Sequence, residues 1–334
     1  MRVDEVGEHA LLARLLARLP RPSASVLVGP GDDAAVLAPG RNERLVVTTD
    51  AVVEGVHFNR AYSSPADIGH KALAVNLSDL AAMAATPRWA LLSLVLPGSC
   101  LVGDVEDLVD GLAVLAGRHG VSVVGGNITR TDGPLMVDVT AGGEVAPRRW
   151  LTRGGAKAGH EIYVSGATGG AAAGLEMLRQ GSGLGDQGSG CISRHRRPEP
   201  RVRLGLAVGR ARAATAAMDL SDGLADALRQ VAVSSGVGVR IDGDAVPIDA
   251  CAREWWTSRG VDPVSAAVRG GDDYELIFAV PPRSGGALRS VARHVADPPL
   301  TKIGLFTKDP RELVIVRGDK EDALPEGFEH FAHR

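Results

Sequence analysis

Large rings are scarce in this chain, and that is the first limit on what it can be. Aromatic residues make up 4% of 334 residues, against 42 glycines, so backbone turns rather than clusters of rings must shape the fold. Cysteine is equally sparse. Cys100, Cys191 and Cys251 are odd in number and far apart, with no Cys-x-x-Cys spacing. That excludes a disulfide framework and the usual zinc motifs, and a reducing cytoplasm is the expected setting. No apolar run approaches the ~18 residues a membrane span needs. The opening Met1 to Glu8 is too acidic for a secretion signal. A basic excess is missing too: the net charge of −3 lacks the footprint of a nucleic-acid or anionic-membrane binder. There is also no Gly-x4-Gly-Lys-Ser/Thr loop, which excludes a P-loop phosphate site.

What is present is enough apolar material, 45% of residues, for real cores. At roughly 150 residues per domain the length suggests two. Helical spacing of leucines predicts a helix over 9–19, stopped by Pro20 and Pro22. Ser64-Pro65-Ala66-Asp67 has the serine cap, first-turn proline and third-position acid of a helix start. Further helices are expected over 105–118, 171–179, 202–214 and 223–234. Strands are expected over 26–28, 45–49, 91–96, 121–124, 135–140, 161–165, 237–241 and 275–280. Gly181 to Gly190 reads as a mobile loop and Pro281 to Gly286 as a loop. The alternation gives an α/β class with mixed sheets, in two units, 1–146 and 147–334.

The chemistry lies in acids at strand ends. Leu45-Val46-Val47-Thr48-Thr49-Asp50 is an apolar run ending in two hydroxyls and a carboxylate, followed by Gly55-Val56-His57-Phe58. Asp33 and the glycine turn Gly125-Gly126-Asn127 also follow short apolar strands. Asp79 sits on the polar flank of an apolar helix. Taken singly, each acid is ordinary turn chemistry. Brought together, carboxylates repel by about 4 kcal/mol per unpaired contact at 4 Å and an effective dielectric of ~20, so convergence requires a cation. Hard oxygen donors without nearby thiols or paired histidines point to Mg2+. Arg153 is placed to reach a nucleotide phosphate or simply to be solvated. The basic run Arg194 to Arg201 lacks interleaved aromatics and reads as surface or as a phosphate-facing loop.

The order of motifs resembles the thiamine-monophosphate kinase family, within the superfamily of aminoimidazole ribonucleotide synthetase and selenophosphate synthetase. The matching stretches are Gly31 to Val36, Thr48-Thr49-Asp50, Gly55 to Phe58, Lys71 to Met83, Leu151-Thr152-Arg153, Arg197 to Arg201, Met218 to Leu224, Gly270 to Leu276, and the tail Gly327 to Phe331. The resemblance implies a two-domain aminoimidazole ribonucleotide synthetase-like fold whose N-terminal halves pair in a homodimer. It implies direct transfer of the ATP γ-phosphoryl group to thiamine monophosphate, with several Mg2+ ions. Metal ligands would be Asp33, Thr48, Thr49, Asp50, Asp79, Asn127, Asp219 and Asp222. Gly126, Asn127, Arg153 and Ser221 would contact ATP, and His57, Asp272 and Phe328 the thiamine moiety. No side chain is needed as a general base, because the attacking phosphate oxygen is already anionic.

Three positions depart from the family pattern. Asn127 stands where an aspartate is usual, Asp272 where a glutamate is usual, and Pro325 where an aromatic is often found. Two other readings share the residues: another ATP-dependent synthetase of the superfamily, or a nucleotide- or thiamine-phosphate-binding protein that has lost catalysis. Against the synthetase reading, no cysteine lies near the N-terminus, and the chain ends in His333-Arg334 rather than cysteine.

Overall fold

The computed structural model describes residues 1–6, 8–28, 35–181 and 188–327. The stretch 182–187 of the expected mobile loop lies outside them. The chain forms two compact units, one of residues 1–80 and 85–147, the other of 81–84 and 148–334.

In the first unit, two short helices, α1 (Val3–Val6) and α2 (Glu8–Leu16), precede a small antiparallel pair, β1 (Val26–Val28) and β2 (Val36–Leu37). The body follows as β3 (Arg44–Val53), α3 (Pro65–Ala82), β4 (Thr86–Pro97), α4 (Val102–His119), β5 (Ser122–Thr131) and β6 (Met136–Val145). Sheet order is β3-β6-β4-β5, antiparallel except for the parallel β4–β5 pair. The helix start at Ser64 forms as its residues imply. Ser64 Oγ accepts from the Asp67 N–H at 3.2 Å, and Asp67 Oδ2 accepts from the Ser64 N–H at 3.1 Å. Gly120 ends α4 in the left-handed conformation at φ 66°.

Two expectations change here. The strands are longer than their apolar cores, and Gly125-Gly126-Asn127 is not a turn. It lies inside β5, in register with Leu91, Leu92 and Ser93 of β4. Ladder pairing carries the strand through two glycines whose own propensity is against it.

Helix α3 is buried continuously from Ile68 to Ser78. It reaches that depth because α3 and α4 touch through their backbones. A Cβ on Gly69 would lie 1.8 Å from the Leu108 carbonyl oxygen, and one on Gly111 would lie 2.0 Å from that of Ala66. Neither position has room for a methyl group.

The second unit runs β7 (Glu161–Ser165), α5 (Gly170–Arg179), α6 (Ser189–Arg196), α7 (Val202–Ala211), β8 (Ala216–Asp219), α8 (Leu224–Ser235), β9 (Gly238–Asp242), α9 (Ala250–Thr257), α10 (Pro263–Arg269), β10 (Leu276–Val280), α11 (Gly285–Val295), β11 (Leu300–Thr307), β12 (Leu313–Arg317) and β13 (Lys320–Ala323). Its seven strands are ordered β13-β12-β9-β11-β7-β10-β8, with β12–β9 the parallel pair. Ile162, Val164, Met218, Leu228, Val239, Ile277 and Phe306 belong to one buried cluster of this unit. The loop expected at 281–286 is a 3-10 turn (Pro282–Ser284) leading into α11.

Gly111→Ala should cost about 1–3 kcal/mol, the usual range for overpacking. Urea unfolding of the full chain measures it, and an unchanged midpoint would contradict the backbone contact.

Candidate functional site

In the first unit, alternation along β3 sends Thr48 and Asp50 to one face and Thr49 to the other. Thr48 Oγ1 donates to Asp79 Oδ2 at 2.5 Å, so the hydroxyl of the strand meets the half-buried carboxylate of α3. Thr48, Asp50 and Asp79 thus belong to the helix-covered side. The turn after β3 is fixed from within. Lys71, 2% exposed, donates from Nζ to the His57 carbonyl at 3.0 Å, and the Val53 N–H donates to His57 Nδ1 at 3.0 Å. An accepting Nδ1 places the proton of the neutral imidazole on Nε2.

The opposite face carries Thr49, whose Oγ1 lies 3.3 Å from Asp138 Oδ1 and 3.0 Å from Thr140 Oγ1. Register continues the next row from Asp138 through Ser93 to Asn127. The amide at 127 therefore shares a row with a carboxylate that the sequence reading did not single out. Asp138 sits in an unremarkable Val-Asp-Val strand pattern, and only cross-strand register reveals it. The sheet order also separates two residues expected to work together. β3 and β5 are at opposite ends of the four strands, about 14 Å apart at ~4.8 Å per strand. Within one chain, Asp50 and Asn127 do not reach a common ion.

In the second unit, the stretch Asp219 to Gly223 leaves the end of β8 and lies along Gly270 to Glu275. The Leu220 N–H donates to the Glu275 carbonyl (2.8 Å), the Asp272 N–H to the Ser221 carbonyl (2.7 Å), and the Tyr274 N–H to the Leu220 carbonyl (3.1 Å). Gly223 is at φ +98°, with the Gly270 carbonyl oxygen 2.8 Å from where a Cβ would stand. Asp272 (φ 68°) and Tyr274 (φ 49°) hold the left-handed region without being glycine. Backbone of that kind is retained where the surroundings over-determine it, and it concentrates at binding sites. Asp272 accepts from the Tyr274 hydroxyl (3.1 Å), and His195 Nδ1 lies 3.3 Å from its other oxygen.

Below this loop sits Glu275, 0% exposed, held by Ser165 Oγ (2.5 Å), by both arms of Arg201, and by Arg194 at 3.6 Å. The basic run, read as surface or as a phosphate-facing loop, is corrected at three of its residues, while Arg197 and Glu199 are exposed. Arg194 and His195 lie on α6, His195 is buried, and Arg194 and Arg201 are the counter-charges of an interior carboxylate. Arg153 is exposed and anchored on α8: its guanidinium donates to Gln230 Oε1 (3.0 Å), which in turn contacts Asp226 (3.2 Å). Asp33 and Phe328 lie outside the described residues.

The donors gathered in each unit are hard oxygens: hydroxyl, carboxylate and amide. That set suits a magnesium ion that keeps part of its water shell. The first unit offers a hydroxyl–carboxylate pair and an imidazole of fixed orientation, and the second a loop of acids and an exposed arginine.

The AIR synthase related protein N-terminal domain matches residues 31–145, and the corresponding C-terminal domain matches 157–317. The thiamine-monophosphate kinase of Escherichia coli is 40% identical over 334 residues, covering 98% of each chain. That of Bacillus subtilis is 35% identical over 324 residues, covering 92% of this chain and 94% of its own. A crystal structure of thiamine-monophosphate kinase from Stenotrophomonas maltophilia matches with a TM-score of 0.81 at 41% identity, over 94% of this chain and 97% of that one. AaThiL complexed with AMPPCP and TMP matches at 0.77 and 31% identity, over 99% of both. The hydrogenase maturation protein HypE in complex with ATP, at 21% identity and 0.79, shares the fold.

Asp273, beside the acid loop, accepts from the N–H groups of Gly169 (2.6 Å) and Ala171 (3.2 Å). Burial nevertheless pushes its carboxyl up to about 7. A carboxyl raised in the folded state stabilises most below its unfolded pKa of ~3.9, and that stability is lost as pH rises through about 7. The stability of the native chain relative to Asp273→Asn should therefore fall between pH 5 and pH 8 in metal-free urea titrations. A difference independent of pH would contradict the assignment.

Proposed function

The chain belongs to the thiamine-monophosphate kinases, within the AIR synthase related proteins, and from that premise we propose a magnesium-assisted, direct transfer of the ATP γ-phosphoryl group to thiamine monophosphate. The enzyme phosphorylates thiamine monophosphate at the expense of ATP; what we add is how its residues divide the work. The observation that carries the reading is the Thr48–Asp79 contact, with Asp50 on the same side of β3.

In this proposal Thr48, Asp50 and Asp79 hold magnesium in the first unit, and Asp219 and Asp222 hold it in the second. Thr49 and Asn127 offer further oxygens on the outer face, and Asp33 completes the family set. Magnesium held by these residues would offset the repulsion between two polyanionic phosphates. The residues do the rest. Arg153, steadied by Gln230, holds a phosphate of ATP, with Ser221 and the Gly126 backbone beside the nucleotide. His57, its Nδ1 occupied, turns Nε2–H toward the thiamine monophosphate. Asp272, held by the Tyr274 hydroxyl and with His195 beside it, contacts the thiamine moiety, and Phe328 joins it on the family motif alone. The acceptor oxygen is anionic near neutral pH, so no side chain has to remove a proton.

A homodimer formed by the N-terminal halves is part of the same proposal. Leu45 and Val47, each 57% exposed, stand with Leu91 on the outer face of the sheet, an apolar surface suited to a second copy. The cytoplasm, suggested by three free thiols, is the proposed compartment.

Purified protein with ATP, magnesium and thiamine monophosphate should release ADP and form thiamine diphosphate. Asp79→Asn should lower turnover at least about a hundredfold with an unchanged circular dichroism spectrum, and exhaustive chelation should stop the native enzyme. Near-normal kinetics in that variant would remove the metal-bridge account. Tight ligand binding without ADP release would instead favour a decayed binder. Val47→Asp should shift the sedimenting mass from dimer to monomer; an unaltered dimer would place the interface elsewhere.

A further inference from the structure

Two cysteines sixty positions apart meet in the second unit, on the far side of the Arg194 guanidinium that also pairs with Glu275. Cys191 comes from the first turn of α6 and Cys251 from the first turn of α9, and Asp249 is the residue that caps α9. Ligand atoms of all three lie within 4.8 Å of one another, the one such group of His, Cys, Asp and Glu among the described residues. Cys191 is fully buried beside Met177, Trp255 and Trp256, while Asp249 and Cys251 are partly exposed.

We infer that Cys191, Asp249 and Cys251 form a binding site for a thiophilic divalent cation of the zinc class. The spacing fits. A tetrahedral zinc with thiolate at 2.3 Å and carboxylate oxygen near 2.0 Å separates sulfur from oxygen by about 3.5 Å. Cys191 Sγ and Asp249 Oδ1 stand 3.6 Å apart.

The surroundings fit as well. Asp249 Oδ1 accepts the Cys251 N–H at 3.0 Å and the Cys191 thiol at 3.6 Å, a lone pair that loss of the thiol proton frees, while Oδ2 is held by Arg194 Nε at 2.9 Å. A ligating carboxylate oriented by an outer partner is the common arrangement at metal centres. Two thiolates, one carboxylate and a divalent cation leave a single negative charge. Arg194 offsets it, and the N-terminus of α9 favours it. With no ion bound, burial and the contacts with Cys251 and Asp249 push the Cys191 thiol up, so it carries its proton. Binding releases two thiol protons to solvent, one per sulfur, and forms two metal–sulfur bonds. A water takes the fourth position.

Such an ion would tie α6 to α9, and α6 also carries the His195 that touches Asp272. The site stands on its own geometry and does not depend on the kinase reading.

Reduced, metal-free full-length protein titrated with Co2+ is the test. One equivalent should give thiolate-to-cobalt charge-transfer absorption with the strong visible bands of tetrahedral cobalt, and Zn2+ should bleach both. Cys251→Ser should lose about half the charge-transfer intensity, and Cys191→Ser likewise. Asp249→Asn should weaken binding at least about tenfold. Cys100→Ser, in the other unit, should change nothing. Because Cys191 is interior, Cys251→Ser carries the test if Cys191→Ser does not fold. Absence of charge-transfer absorption at excess Co2+ overturns the site, as does an undiminished native intensity in Cys251→Ser. Oxidation of the two thiols to a disulfide by protein that takes up no cobalt overturns it too.

Discussion

A threonine hydroxyl donating to a carboxylate joins a ten-residue strand to the most deeply buried helix of the first unit, and the arrangement of that unit's functional groups follows from it. Thr48 can reach Asp79 only if the even positions of β3 face α3. Strand alternation then fixes the side taken by every neighbour, so Asp50 joins the pair and Thr49 is sent away, to Asp138 and Thr140. The close approach of α3 and α4 at Gly69 and Gly111 holds the helix where this contact is possible. A functional geometry here rests on two places where no side chain fits.

The second unit solves a different problem. It buries Glu275 completely, and a lone interior carboxylate would be costly. Arg201, Arg194 and Ser165 converge on it, and in doing so they bring α6 and the segment before α7 against the start of β10. The loop above, Gly270 to Tyr274, is thereby held against Leu220 and Ser221 and accepts left-handed backbone at Asp272 and Tyr274. Strain at the loop is sustained by charge pairing beneath it.

The same interior explains why a cluster of basic residues misleads. Arg194 to Arg201 has the composition of a solvated or phosphate-facing stretch, and its acidic partners Asp249, Asp272 and Glu275 lie 50 to 80 positions further along. Charge runs are ordinarily solvated, but a buried acid far off in sequence converts one into an internal brace. The cysteines teach the same lesson. Their spacing shows no motif because Cys191 and Cys251 are joined by packing of α6 on the start of α9.

Local chemistry was sufficient for the elements whose signals are local. The Ser64–Asp67 box, the Gly120 cap, the strand ending in Thr48-Thr49-Asp50, and the family-like motifs could all be recognised along the chain, since each depends on residues within a few positions of one another. What only the tertiary structure decided was which strands stand side by side and which face each residue takes. Sheet order put β3 and β5 at opposite edges, register set Asp138 in the row of Asn127, and ladder pairing made a strand of two glycines that look like a turn. Those outcomes depend on hydrogen bonds and burial between segments tens of residues apart, and no local pattern encodes the partner.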